Sequence, residues 1–297
     1  PQAIAAGANA VLWDPQNFTW NHEWRIPALA IDELKAKAGL IASYVYDQPS
    51  EKLWMVGITG TNGKTSCSHW YAQAMTSLGK KTAILGTLGN GFCGELEAAG
   101  NTTPDAAVLQ RSLARFVDQD AHGVAMEVSS HGLVQGRVNG TTFAIAVLTN
   151  VSRDHLDYHL DMDAYAAAKA RLFFWPGLQY AVVNMDDVLG VELSRQLANK
   201  SITFIGYGFH YPEERYARQF KMVYGSNLKV DLHGLEFDIE FEDNREHLRI
   251  GLLGKFNASN LLAVVAAMLA SGIRLPDAVR ALHSVQSIPG RMEKYEG

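Results

Sequence analysis

The run Gly60-Thr61-Asn62-Gly63-Lys64-Thr65 stands between an apolar stretch, residues 53–58, and a helix-forming segment, residues 65–78. That is where a phosphate cradle belongs. Glycines let backbone N–H groups approach an anion, and the helix N-terminus adds partial positive charge. The lysine reaches the outer phosphates, and the adjacent hydroxyl can hold Mg2+. The strict G-x-x-x-x-G-K-[ST] pattern wants glycine where Ile58 stands, so only its second half is matched. A Gly-rich turn with a solvated lysine is the plain alternative; the strand-loop-helix setting favours a nucleoside triphosphate.

Two more places on the same sheet edge could do chemistry, and one lysine further on is of interest. Glu127 ends the apolar strand at residues 124–128, where a carboxylate serves either as a metal ligand or as a satisfied strand-end acid. His155 and His159 sit four apart after another strand and invite a zinc reading. The glutamate of H-E-x-x-H is missing and no thiolate is near, so Mg2+ or phosphate contact, or simply a polar loop, is expected instead. Lys169, in Ala166-Ala167-Ala168-Lys169, reads on its own as a solvated helix lysine.

The elements that must position these groups alternate. Beyond a helix remnant near Ala3, a strand at 10–13 and a helix at 31–46, Asp47-Gln48-Pro49-Ser50 breaks the pattern. Strands then read at 53–58, 82–85, 124–128, 143–148 and 180–184. Helices read at 65–78, from Pro104 with Thr103 as its cap, at 163–174 and at 186–197. Short buried strands separated by helices predict an α/β fold with a parallel, doubly wound sheet and ligands at the strand C-terminal ends. From residue 221 to 252 the alternation changes to period two, with turn signals at Gly225-Ser226-Asn227, His233-Gly234 and Glu242-Asp243-Asn244. This predicts a small antiparallel sheet. Helices at 258–271 and 276–285 follow, and residues 291–297 read as a strand just beginning.

Composition sets the bounds. At roughly 150 residues per domain, 297 residues imply about two domains. A net charge of −5 argues against a general nucleic-acid coat while leaving local anion sites open. Cys67 and Cys93 are too few for a disulfide framework, which points to a reducing compartment. No apolar run is long enough to span a membrane, and no signal peptide is expected. The first residue is Pro1, already inside an Ala-rich stretch, so the chain reads as an excerpt of a longer protein.

From about Trp54 to Gly297 the sequence resembles the Mur ligases, ATP-dependent amide-bond-forming enzymes of peptidoglycan synthesis, and within them the MurE type. The resemblance rests on Gly60 to Thr65, Asn101-Thr102-Thr103-Pro104-Asp105, Met126-Glu127-Val128-Ser129-Ser130-His131-Gly132-Leu133, and Leu148-Thr149-Asn150 with His155-Leu156-Asp157-Tyr158-His159. Ala168-Lys169, Gly254-Lys255-Phe256-Asn257 with Asn260, and Pro289-Gly290-Arg291-Met292-Glu293 complete it. The first motif is common to Mur and folylpolyglutamate ligases; the second and third are similar to the MurE type.

The resemblance implies an ATP- and Mg2+-dependent ligase. It would couple a third amino acid, meso-diaminopimelate or L-lysine, to the γ-carboxylate of UDP-N-acetylmuramoyl-L-alanyl-D-glutamate through an acyl phosphate. It implies nucleotide contacts from Gly60, Thr61, Asn62, Gly63, Lys64, Thr65 and Ser66, with Asn257 on the adenine side and Arg291 at the phosphates. Thr65 and Glu127 would hold one Mg2+, and His155 a second together with Lys169, carbamylated into an anionic ligand. Lys64, Lys169 and His155 would serve catalysis, and Asn101, Thr102, Thr103, Ser129, Gln135 and Arg137 would grip the muramoyl peptide. It implies the end of an N-terminal UDP-binding domain over residues 1–48 and a P-loop-containing central domain over 49–297. The C-terminal domain that carries the amino-acid site would lie beyond Gly297, so these residues alone are expected to ligate poorly. A cytoplasmic monomer of cell-wall synthesis, with no nucleic-acid partner, completes the expectation. Another Mur or folylpolyglutamate-type ligase, an unrelated P-loop NTPase and a non-catalytic binding module are the alternatives.

Overall fold

The computed structural model describes residues 2–210 and 220–291. The chain begins with α1 (Gln2–Ala5), β1 (Val11–Trp13), β2 (Ala28–Ala30) and α2 (Leu34–Val45). β1 and β2 pair in parallel as a sheet of their own. The Asn139 amide ties α2 to the rest of the chain by donating to the Ala36 carbonyl at 2.9 Å. Asp47 and Gln48 both take left-handed conformations, and a 3-10 turn, Pro49–Lys52, leads into the next strand.

Among the described residues, eleven strands then form one sheet. They are β3 (Trp54–Thr59), β4 (Thr82–Gly86), β5 (Gly89–Phe92), β6 (Glu95–Glu97), β7 (Gly123–Glu127), β8 (Ile145–Leu148), β9 (Tyr180–Asn184), β10 (Thr203–Gly208), β11 (Lys221–Asp231), β12 (Gly234–Phe241) and β13 (Asn244–Ile250). Their spatial order is β13-β12-β11-β10-β9-β8-β3-β7-β4-β5-β6. Every pairing from β11 to β4 is parallel, and the pairs at both edges are antiparallel. The hairpins read from period-two alternation therefore extend the parallel sheet through β10 and β11.

The central strands are apolar on both sides because helices cover both faces. Successive residues feed opposite cores: Ile145 and Val147 of β8 pack with α3 (Lys64–Ser77) and the helices Lys255–Ala270 and Leu275–Leu282. Ala146 and Leu148 face the other way, toward α4 (Ala106–Asp118) and the helix Val188–Leu197. In chain order the remaining helices are α5 (Ser130–Val134), α6 (Leu156–His159), α7 (Met162–Ala170), α8 (Val188–Leu197), α9 (Lys255–Ala270) and α10 (Leu275–Leu282). No helix among the described residues is long and apolar enough to cross a membrane.

Several local expectations need correction. α4 is capped by Asp105, whose carboxylate accepts from the Ala107 and Val108 amides, while Thr103 is buried and engaged elsewhere. Gly225-Ser226-Asn227 makes a register shift inside the continuous strand β11 instead of a turn; Asn227 takes the left-handed conformation and the ladder resumes at Lys229. Periodicity alone does not reveal strands β2, β5, β6 and β10. β5 and β10 each carry two glycines, which weaken the strand signal. The strand expected at 291–297 falls, beyond Arg291, outside the described residues.

Candidate active site

β3 lies inside the parallel run, between β8 and β7, and its C-terminal end delivers the loop at residues 60–63 to the N-terminus of α3. Gly63 sits at φ 85°, and a Cβ there would stand 2.3 Å from Asn260 Oδ1 of α9, so glycine is required on both counts. The segment after β8 clamps the loop. The Thr61 amide donates to the Asn150 carbonyl at 2.7 Å and the Asn62 amide to Asn150 Oδ1 at 3.0 Å. Thr149 Oγ1 and Asn150 Nδ2 return bonds to the Asn62 carbonyl at 2.6 and 3.0 Å. Lys64 Nζ folds back to the Gly60 and Thr61 carbonyls at 2.8 Å each. Burial holds its amine below the ordinary lysine value, and the positive charge of Arg291 adds to this, while Glu127 and Asp154 oppose it. Thr65 and Ser66 are both buried at the start of α3.

Glu127 is fully buried at the end of β7, beside the loop. One carboxylate oxygen accepts from the Thr87 amide at 2.8 Å, the other from Thr65 Oγ1 at 3.0 Å and Thr87 Oγ1 at 3.2 Å. Arg291 reaches the same Thr65 hydroxyl at 3.5 Å. A buried carboxylate and a hydroxyl at a helix N-terminus form a hard-oxygen pair, the donor chemistry that suits Mg2+.

Lys169, on α7, is only 1% exposed, which corrects the reading of it as a solvated helix lysine. Its Nζ donates to the Gly60 carbonyl at 2.8 Å, and it lies 4.3 Å from the centre of the Tyr165 ring. Burial, reinforced by the nearby Lys64 cation, pushes its pKa down to about 7 against the opposing charge of Asp154. The structure thus gathers Lys64, Thr65, Glu127 and Lys169 around one loop.

The histidines behave differently. The His155 side chain is 47% exposed and lies 3.5 Å from Asp154, with its ring against His131 and Tyr165. His159 is buried and its Nε2 pairs with Ser130 Oγ at 2.8 Å. The two do not form a shared metal site. Among the described residues no three His, Cys, Asp or Glu side chains gather in a way that could hold a metal, so Glu127 and His155 are not brought into one such cluster.

The remaining candidates line the β7 and β4 side. Thr103 Oγ1 lies 2.9 Å from the Glu127 carbonyl and accepts from the Ser129 amide at 2.9 Å. Ser129 caps α5, accepting from the Gly132 amide at 3.0 Å. Arg137 donates to the Thr103 carbonyl and to Gln135 Oε1, both at 2.9 Å, and Thr102 meets Thr87 across their hydroxyls at 3.0 Å. Asn101 is exposed. Asn257 is buried near the start of α9, donating to the Leu253 carbonyl and accepting from Asn260, the residue that meets Gly63. Sequence reasoning does not single out Thr87 or Tyr165. Thr87 follows an apolar strand at the ligand-bearing edge, and Tyr165 stands four residues before Lys169 on one helix face, which is the spacing that could have found it.

A family model described as the Mur ligase middle domain matches residues 58–268. The UDP-N-acetylmuramoyl-L-alanyl-D-glutamate--2,6-diaminopimelate ligase of Nitrosomonas europaea is 58% identical over 299 residues, covering 100% of this chain and 57% of its own length. The protein of the same name from Chromobacterium violaceum is 46% identical over 298 residues, covering 100% and 59%. A solved structure of a ligase of that name superposes with a TM-score of 0.83 at 31% identity, covering 99% of this chain and 58% of the other. The chain therefore spans somewhat under three fifths of the length of the curated relatives it matches.

Proposed function

Because the chain belongs to the Mur ligase family, we propose that its loop at 60–65 serves an ATP-dependent ligase that adds 2,6-diaminopimelate to UDP-N-acetylmuramoyl-L-alanyl-D-glutamate, the reaction its relatives are named for. The observation that supports this best is the convergence of a half-buried and a buried lysine amine, a buried carboxylate and a helix N-terminus on that one loop. Activating a carboxylate with a phosphoryl donor brings two anions together, so a site for it must neutralise charge and hold the groups in line. Lys64 would exchange its two loop carbonyls for the outer phosphates, with the first amides of α3 donating to the same oxygens. Arg291 stands next to Thr65 to add a second cation there. Mg2+, held by Thr65 and Glu127, would supply further neutralisation of the phosphates.

Lys169 is the proposed holder of a second ion after carbamylation, with His155. Burial holds its amine down at about 7, which favours the neutral form that carbamylation requires. Thr102, Thr103, Ser129, Gln135, Arg137 and Asn101 would receive the muramoyl peptide, Arg137 supplying the planar cation for its carboxylates. Asn257 would act on the adenine side. Residues 1–48 are assigned to the end of a UDP-binding domain and 49–297 to the ATP-binding domain, working in the cytoplasm.

The test is ligation by a protein of the relatives' full length that carries these residues. Incubation with ATP, Mg2+, the UDP-linked dipeptide and either diaminopimelate or L-lysine should yield the diaminopimelate adduct by mass spectrometry, with one phosphate released per bond. Phosphate release that needs neither the dipeptide nor an amino acid would instead make the chain a simple NTPase.

A further inference from the structure

Tyr165 lies on α7 one turn before Lys169, is fully buried, and touches both the phosphate loop and the amine. Its hydroxyl is 3.1 Å from Thr61 Oγ1. That threonine oxygen also stands 3.2 Å from the Ser152 carbonyl and accepts from the Ser152 amide at 3.0 Å. A hydroxyl has one proton and two lone pairs, so if Thr61 donates to the Ser152 carbonyl, it must accept from both the Ser152 amide and Tyr165. Tyr165 can supply that proton, since a phenol hydroxyl is a hydrogen-bond donor in the neutral range. The ring carries the other load. Lys169 Nζ stands over one face, and His155 and His159 pack against the same ring. Both ends of the contact return to the loop, since the Gly60 carbonyl accepts from Lys169 and the Thr61 carbonyl from Lys64.

We infer that Tyr165 is a positioning residue: its hydroxyl fixes Thr61 and its ring face fixes the Lys169 amine, so one side chain sets the spacing between the phosphate loop and that amine. The inference rests on the reading of the loop as a nucleotide site. It assigns separate effects to the two parts of the side chain. The hydroxyl orders the loop, so its loss should weaken nucleotide binding. The ring places an amine, so its loss should slow turnover, because a displacement of about 1 Å near a reacting centre costs on the order of a hundredfold.

The experiment compares Tyr165→Phe, Tyr165→Leu, Thr61→Val and the double variant that combines Tyr165→Phe with Thr61→Val, in a protein of the relatives' full length. Affinity for a non-hydrolysable ATP analogue with Mg2+ is measured by calorimetry, and kcat and KM by phosphate release. Tyr165→Phe should weaken analogue binding about threefold to tenfold, the value of one hydrogen bond, with kcat within about twofold of the parent. Tyr165→Leu should show the same weakening and, in addition, a kcat at least about tenfold below that of the Tyr165→Phe variant. In the Thr61→Val background, Tyr165→Phe should cost no further affinity, since its partner is already gone. Analogue binding by Tyr165→Phe equal to the parent overturns the proposal, and so does a Tyr165→Phe change that costs as much in the Thr61→Val background as in the parent. If the Tyr165→Leu variant does not fold, the Tyr165→Phe variant and the cycle still decide. A parent protein that binds no analogue at all overturns the nucleotide reading itself.

Discussion

Replacing Lys169 by methionine should make the protein more stable and, under the proposed function, inactive. The side chain is buried, with a pKa of about 7 in the folded protein against the ordinary 10.5. Between those two values the unfolded chain holds a proton that the folded chain releases. Stability therefore rises with pH through that window, and the penalty for burying the cation is greatest below it. At pH 7 the mismatch costs about 4 kcal/mol, and by pH 9 about 2 kcal/mol. Methionine matches the length of the stem without the charge. It forfeits the hydrogen bond to the Gly60 carbonyl, about 1 kcal/mol, but that carbonyl keeps its bond from Lys64. The net expectation is a gain of about 3 kcal/mol at pH 7 that shrinks to about 1 kcal/mol at pH 9. Urea unfolding followed by tryptophan fluorescence, in metal-free and bicarbonate-depleted buffer at both pH values, measures the difference directly. A variant less stable than the parent at pH 7, or a difference that does not shrink with pH, refutes the placement of a partly neutral amine at this position.

Two further expectations follow from the same loop. Gly63→Ala puts a Cβ 2.3 Å from Asn260 Oδ1 at a φ of 85°, so it should lower stability by about 1–3 kcal/mol and weaken nucleotide binding; thermal unfolding and calorimetry check both, and a neutral result would mean that the loop is not held against α9 as described. Glu127→Gln keeps an acceptor for the Thr87 amide but removes the charge, so the unfolding midpoint should hold while the Mg2+ concentration needed for half-maximal turnover rises at least about tenfold, since losing even an outer partner of a metal ligand costs about 10–100-fold in metal affinity; an unchanged Mg2+ titration would remove Glu127 from the metal.

The parts of the site legible in the sequence are those set by local spacing. Strand β3, the loop, the cation at Lys64 and the hydroxyl at Thr65 are contiguous, and a glycine before a lysine at a strand-to-helix turn carries its own physical meaning. Glu127 is legible as a strand end because the apolar run before it is unbroken. What spacing cannot give is burial. Lys169 lies among alanines on a short helix, and nothing in that pattern says that its amine meets the Gly60 carbonyl, more than a hundred residues earlier in the chain. The cap of α4 is ambiguous for a related reason: Thr103 and Asp105 are both good capping residues, and only the tertiary demand of Ser129 and Glu127 on the threonine hydroxyl decides between them. β5 and β10 are hidden by their glycines, and the turn signal in β11 falls where Asn227 bends the strand but does not end it.

The sheet register explains why the site needs residues so far apart. Ile58 pairs with Glu127 and Leu85 with Met126, so the ends of β3, β7 and β4 are level, and the residues that follow them share one edge. Gly86 ends β4 without a side chain because a Cβ there would stand 2.2 Å from Glu127 Oε1; the carboxylate occupies that space and takes the Thr87 amide just beyond. The same crowding concentrates charge. The whole chain carries −5, yet the loop brings the half-buried Lys64, the buried Lys169 and Arg291 toward the buried carboxylate of Glu127. Lys64 and Lys169 each meet the Gly60 carbonyl, so they stand close enough to repel, and the Lys64 charge lowers the Lys169 pKa. A polyanion at this loop would relieve that repulsion, whereas a neutral ligand would not. The local charge balance is therefore set by which residues the sheet edge brings together, and the overall charge of the sequence gives no measure of it.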